Sequence, residues 1–281
     1  MDIVNPTFRR YAEKIIRTLM AHVQHHPAII GWQLDNETKH YDNIGRYMQE
    51  GFVRSLQEKY PDLRQLNHDF GLDYWSNRID RWQDFPPVEN TINASLACAF
   101  SRYQRQQVTE YLAWQAAIVR EYAQPHQFVT HNFDFEWRGY SYGVQPRVDH
   151  FAAAQALDIA GVDIYHPSQA HLTGREIAFG GAITRSLKPG QNYFVLETGL
   201  RASPSGPPSR ASYACRHSAI SPPAPPWSPT GTGIRFITPL KPTGRGCSAT
   251  TSRATQPAGS YHHRRRFRPP VPAAGGAEGR K

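Results

Sequence analysis

Two glutamates sit where chemistry could use them. Each closes a short apolar run: "IIGWQLDNE" ends on Glu37 and "YFVLE" ends on Glu197. If both runs are strands of one parallel barrel, their C-terminal ends open on the same side and charged residues there share one site. Two carboxyl groups so placed suit work on a glycosidic bond. One acid protonates the leaving oxygen and the other attacks the anomeric carbon, at a separation of about 5 Å when configuration is retained. The plainer use of a glutamate at a strand end, as a helix cap or half of an ion pair, fits the same local pattern.

The elements that would carry these residues can be read from hydrophobic spacing. From Thr7 to His25, "TFRRYAEKIIRTLMAHVQH" places Phe8, Tyr11, Ile15, Leu19 and Val23 at helical intervals, with Pro6 before the start and Pro27 beyond the end. A short buried strand, Ala28 to Glu37, follows. Helical patterns over Ile44 to Tyr60 and Gln104 to Ala123 flank "DYWSNRIDRWQDFPPVENTIN", whose prolines and aromatics read as a long loop with short turns. Long loops in compact domains are usually functional. Then come a strand over Gln127 to Phe133, a short helix over Val148 to Ala156, and strands over Leu157 to Tyr165 and Asn192 to Thr198. Apolar strands that end in polar residues and alternate with helices argue for a parallel sheet or a (β/α) barrel.

Charge divides the chain. Residues 1–201 hold 20 Lys and Arg against 22 Asp and Glu, whereas residues 202–281 hold 12 against the single Glu278. The net charge of +9 therefore belongs to the second part, which also carries 14 of the 23 prolines. Cys98 is the one cysteine before residue 202, so neither a disulfide framework nor a thiolate zinc cluster is expected there. "MDIVNPTFRR" has no apolar segment of a signal peptide and no run reaches membrane-spanning length. The expectation is a reduced, cytoplasmic protein without membrane association.

Four segments together carry a resemblance. "GWQLDNE", "THNF", "VDIYHP" and "YFVLET" occur in an order that resembles the catalytic domain of glycoside hydrolase family 42 β-galactosidases over about residues 1–200, and an Asn-Glu pair after such a strand typifies the wider clan of retaining glycosidases. The resemblance implies an α/β fold: a partial (β/α)8 TIM barrel of about strands 4 to 7 over residues 1–201, with an irregular or disordered tail over 202–281. It implies a β-galactoside substrate and no cofactor. Glu37 becomes the general acid/base on the fourth strand and Glu197 the nucleophile on the seventh. Asn36 would bond the sugar 2-hydroxyl. Tyr165, on the sixth strand, would hold Glu197 ionised with Asp163 beside it, or serve as a structural hydrogen-bond partner. His131 and Asn132, ending the fifth strand, are expected to face the same mouth, touching substrate or supporting those that do. Trp32 is expected to pack within its strand; Trp75 and Trp137 are rings able to stack on a sugar face or be buried in their loops.

Other signals weigh less. His22 and His26 stand four apart but lack a third metal ligand, so a solvated helix face is expected. Some family members bind zinc through cysteines in the loop after the acid/base residue; Thr38 to Gly51 has none, and no metal is expected. Full-length relatives are expected to be homo-oligomers. "NAS" at Asn93 matches a glycosylation sequon without a secretion signal to give it meaning.

Relative to the family, the chain is expected to begin one helix before the fourth strand, without the early-strand arginine that helps hold the galactosyl unit. Its continuation after Glu197 also departs. Taking Pro229 onward, "PTGTGIRFITPLKPTG", and joining each codon's third letter to the first two of the next, permitted codons read "YWHWHSIHNAFETYW". That string resembles what family members carry after the nucleophile strand. A slip of reading frame between about Gly199 and Arg210 is the expectation, and a tail never selected to pack would be disordered.

Two other classes compete. "HHRRRFRPP", His262 to Pro270, is a basic cluster of the kind that binds phosphate backbones, yet no aromatic-interleaved groove or DNA-binding motif accompanies it, so no nucleic-acid partner is expected. A retaining glycosidase of another specificity, such as an arabinosidase or glucanase, or a non-catalytic fragment, would carry the same two glutamates.

Overall fold

A computed structural model describes residues 1–135, 144–166 and 175–200. Its centre is a four-stranded parallel sheet in the order β1 (Gly31–Gln33), β2 (Phe128–Phe133), β3 (Ile159–His166) and β4 (Phe194–Leu200). Each strand pairs in parallel with the next in sequence. The sheet is curled: the rings of Phe128 on β2 and Phe194 on β4, two strands apart, lie 5.4 Å from each other. This is the wall of a partial (β/α)8 TIM barrel. The Phe128 ring also fills the space that a side chain at Gly31 would take, which is why β1 carries a glycine there.

Helices cover the outer face. Helix α1 (Pro6–Val23) starts at Asn5, whose Oδ1 accepts from the backbone N–H groups of Thr7 (2.9 Å) and Phe8 (3.2 Å). Its packed side keeps only Phe8 and Val23 of the stripe expected from spacing. Phe8, Ile16, Met20 and Val23 meet the core, while Tyr11, Ile15 and Leu19 are exposed. Both sets lie at helical spacing, and the long helix α4 (Ala94–Arg120) selects between them. Arg17 pairs with Glu121 just past α4, and Arg9 lies over the rings of Tyr111 and Trp114. Helix α4 begins ten residues before its expected start because Asn93 caps it, accepting from Leu96 N–H at 2.8 Å. The sequon asparagine is thus a structural cap.

The segment between β1 and α4 is a lobe with its own core rather than a bare loop. Helices α2 (Arg46–Lys59) and α3 (Leu63–Phe70) and two short turns enclose Met48, Phe52, Leu56, Leu66, Leu72 and Phe100. Buried Asn67 fastens the returning chain, donating to Ile79 O (2.7 Å) and accepting from Ile79 N–H (2.9 Å). Helix α5 (His150–Ala154) precedes β3. Helix α6 (Arg175–Leu187), which the sequence reading did not mark, places Ile177 against Val162 and Ile164.

Trp32 packs in the core as expected, its Nε1 donating to Gln127 Oε1 at 2.9 Å. His22 is exposed on α1, whereas His26 lies beyond the helix end and accepts from Ala28 N–H. The two do not share a helix face. Residues 201–281, including the whole basic tail, lie outside the described residues, as does Trp137.

Candidate active site

The site is built by strand parity. Successive residues of a strand point to opposite faces, so Asn132 of β2 turns into the curl of the sheet, while Val129, His131 and Phe133 turn toward the helices. Sequence reading placed His131 and Asn132 at one mouth; the structure divides them between two faces. On β3 the same rule sends Val162 and Ile164 outward and Asp163 inward. A register irregularity at Val162/Asp163 then decides the position of Glu197: it pairs Asp163 with Glu197. Without that shift Leu196 would stand opposite Asp163, and Glu197 would face the other side.

Glu37 reaches the same place from a loop. After β1 the chain turns through Asp35 (φ 41°) and Glu37 (φ 45°), both in the left-handed region that costs a non-glycine residue about 1 kcal/mol or more. Neighbouring groups hold it there. The backbone of Leu34 donates to Thr130 O (2.8 Å), Glu37 N–H to Asn132 Oδ1 (3.2 Å), and Thr38 Oγ1 to Asp35 Oδ2 (2.8 Å). His131, wholly buried, works from behind: Thr38 N–H donates to its Nε2 (3.2 Å), and its Nδ1 lies 2.6 Å from Leu34 O. That pair of partners requires a proton on Nδ1 and a lone pair on Nε2, hence the neutral ring. Burial, which lowers its pKa, favours the same state. Both ring nitrogens are occupied by the loop backbone, so His131 positions the Glu37 loop.

Asn132 joins the pieces. Its Oδ1 accepts from Gln33 Nε2 (2.9 Å) and Glu37 N–H, which fixes the amide's orientation. Its Nδ2 then faces Asp163 Oδ2 at 2.7 Å, Asn36 Oδ1 at 3.3 Å and Glu197 Oε1 at 3.4 Å. Five of the residues expected in the site therefore meet: Asn36, Glu37, Asn132, Asp163 and Glu197. Tyr165 lies on β3 by its backbone, and its side chain falls outside the described residues. Gln33 and the Lys39–Asp134 ion pair were not foreseen, although Gln33 shares Gly31's inward parity, a signal that could have found it.

The carboxylate oxygens of Glu37, Asp163 and Glu197 lie within 4.8 Å of one another. Among the described residues they are the one such group close enough to share a cation, which would have to be a hard one since only oxygen is offered. For bond chemistry, oxygens within 4.8 Å suit the close carboxyl pair of retaining glycosidases (~5–5.5 Å) better than the wide pair of inverting ones (~6.5–9.5 Å). Burial, the charge of Glu197 and that of Glu37 push the Asp163 carboxyl up to about 8, against the opposing hydrogen bonds of Asn132 and the Glu197 backbone. Trp75 stands apart: it is 73% exposed, on the rim of a surface pocket of about 310 Å³ that none of these residues lines.

Known proteins resemble this chain in sequence and fold. Residues 1–210 match the glycoside hydrolase 42 family, described as β-galactosidase. The chain is similar to the β-galactosidase YesZ of Bacillus licheniformis, 28% identical over 218 residues, and to that of Bacillus subtilis, 30% identical over 220. In each case the match covers 76% of this chain and 30% of the relative, so the chain spans under a third of their length. Among solved structures, the β-galactosidase of the haloarchaeon Halorubrum lacusprofundi superposes with a TM-score of 0.66 at 20% identity, over 78% of this chain and 35% of that one, a likeness of fold.

Proposed function

The chain belongs to glycoside hydrolase family 42, and on that premise we propose that its site is built for retaining hydrolysis of terminal β-D-galactosides. The observation that carries the proposal is the meeting of Glu37 and Glu197 at the open ends of β1 and β4, with carboxylate oxygens within 4.8 Å. In the first step Glu197 attacks the anomeric carbon while Glu37 gives its proton to the glycosidic oxygen; the C–O bond to the leaving alcohol breaks and a galactosyl ester forms. In the second, Glu37 takes a proton from water, whose oxygen displaces Glu197 and releases galactose. Asn36, held by Asn132, is positioned to bond the sugar 2-hydroxyl, an interaction that strengthens toward the transition state.

The roles are separable by leaving group. Glu37→Gln should retain nitrophenyl galactoside hydrolysis and lose roughly 10²–10⁴-fold on lactose, whose leaving group needs the proton. Glu197→Gln should lose both. Equal losses on both substrates for both variants would sink the assignment, and preference for nitrophenyl arabinoside or glucoside would move the specificity within the clan.

A second inference concerns the tail. The family match stops at Arg210, at the edge of the window in which the reading frame is inferred to slip. We read residues beyond that window as the right gene in the wrong frame. Sequencing the genomic codons from Gly199 to Arg210 tests this: an inserted or deleted base supports it, and an unbroken family continuation in this frame refutes it.

A further inference from the structure

We propose that Asp163 is a positioning residue that stands as a neutral carboxylic acid between the two glutamates, its Oδ2 gripped by Asn132 and its Oδ1 carrying the proton. The inference deepens, and rests on, the reading of Glu37 and Glu197 as the reacting pair.

Three observations converge on it. Asp163 is 2% exposed, and its Oδ1 is buried with no hydrogen-bond partner. An ionised carboxylate in that position would leave charge on an oxygen without a side-chain partner, with only the Glu197 backbone to oppose the cost, whereas a protonated one removes the charge. Second, other carboxyls crowd the group: Glu197 stands opposite in the β3–β4 register, and Glu37 closes the cluster within 4.8 Å. Third, Asn132 cannot serve all three acceptors. Its Nδ2 has two hydrogens for Asp163, Asn36 and Glu197, and the 2.7 Å bond goes to Asp163 Oδ2. That leaves Oδ1 as the free end.

The charged groups that face Asp163 are Glu197 from β4 and Glu37 from the β1 loop; β2 contributes the amide of Asn132 and the outward, neutral His131. With Glu37 protonated for the leaving group, the charge that faces Asp163 is that of Glu197, and it favours the protonated form together with burial, against the hydrogen bonds of Asn132 and the Glu197 backbone, in line with a carboxyl pushed up to about 8. The consequence is a proton count. Three carboxyls hold two protons, one on Glu37 for the leaving group and one on Asp163, so that Glu197 alone is ionised and attacks. Asp163 supplies a donor where a second negative charge would otherwise push Glu197 out of line.

The test reads the proton directly in the full 281-residue chain. With aspartate labelled by ¹³C at its carboxyl, NMR should show one aspartate that stays protonated at pH 6.5 and titrates near 8, absent in Asp163→Asn. Infrared spectra should show the matching acid carbonyl band. If Asp163→Asn fails to fold, the wild-type titration still decides. A folded chain whose aspartates are all ionised at pH 6.5, or a protonated one that persists in Asp163→Asn, overturns the proposal. Where the chain hydrolyses galactosides, Asp163→Asn, which keeps a neutral donor, should hold kcat within ~10-fold and move the alkaline limb of the pH profile, while Asp163→Ala loses more. Failure of the leaving-group test with the protonated Asp163 present would sink the reading of function and leave this proton in place; the reverse outcome would sink only this proposal.

Discussion

The acids of the α2–α3 lobe and those at the strand ends are the same chemical groups put to opposite uses. In the lobe, Asp62 meets Arg64 at 3.0 Å, Arg78 meets Asp73 and Asp80 at 2.9 and 2.8 Å, and Arg81 meets Asp84 at 2.7 Å, all open to water. Hydrogen bonding from Arg64 holds the Asp62 carboxyl below the usual range. At the strand ends three carboxyls crowd together, one of them buried, and Asp163 rises to about 8. Exposed ion pairs keep acids ionised at little benefit to stability; burial beside like charge creates a group that can hold or give a proton near neutrality.

The comparison is broken most severely at Glu197. Replacing it with Gln should reduce turnover by roughly 10⁴-fold or more, as loss of a covalent nucleophile does. Next is the joint between the acids: Asn132→Ala should cost ~10²-fold in kcat, because a displacement of about 1 Å of the Glu37 loop or Glu197 is enough. It should also lower stability by about 1–3 kcal/mol through unpaired buried groups, read by urea denaturation.

A smaller effect appears in pH. Burial lowers the pKa values of His131 and His150, and that of His40 to about 4. Their folded values lie below the unfolded one, so the unfolded chain binds more protons in acid and stability should fall as pH drops below about 6.5. Asp163 has the opposite sign. Its folded value is raised, so its ionisation costs stability as pH rises from about 4 to 8. Asp163→Asn should therefore melt higher than wild type at pH 8, by roughly 2–4 °C for each kcal/mol relieved, with the gap closing toward pH 4. The smallest effect belongs to the lobe: Arg78→Ala should change stability by less than ~1 kcal/mol and leave turnover untouched.

How far all this could be read in advance depended on whether a feature was local. The four strands follow apolar runs, and their polar ends marked Glu37, Asn132, Asp163 and Glu197 because parity and strand order are local rules. The direction of His131 was misjudged although parity alone forbids it from sharing Asn132's face. The bulge that brings Glu197 opposite Asp163 left no trace in hydrophobic spacing. The packed stripe of α1 was likewise undetermined by α1 itself: Tyr11, Ile15 and Leu19 form as regular a row as Phe8, Ile16 and Met20, and the docking of α4 chose between them. The start of α4 hung on one cap, Asn93, within a stretch dense in turn formers.

The central claim is that Glu197 forms the galactosyl ester. The direct measurement is mass mapping after incubating the folded chain with an activated 2-deoxy-2-fluorogalactoside, whose fluorine slows release of the ester. A single adduct on the peptide bearing Glu197, lost in Glu197→Gln, is the predicted result. An adduct on another residue, equal labelling of Glu197→Gln, or no adduct on a folded chain would contradict it.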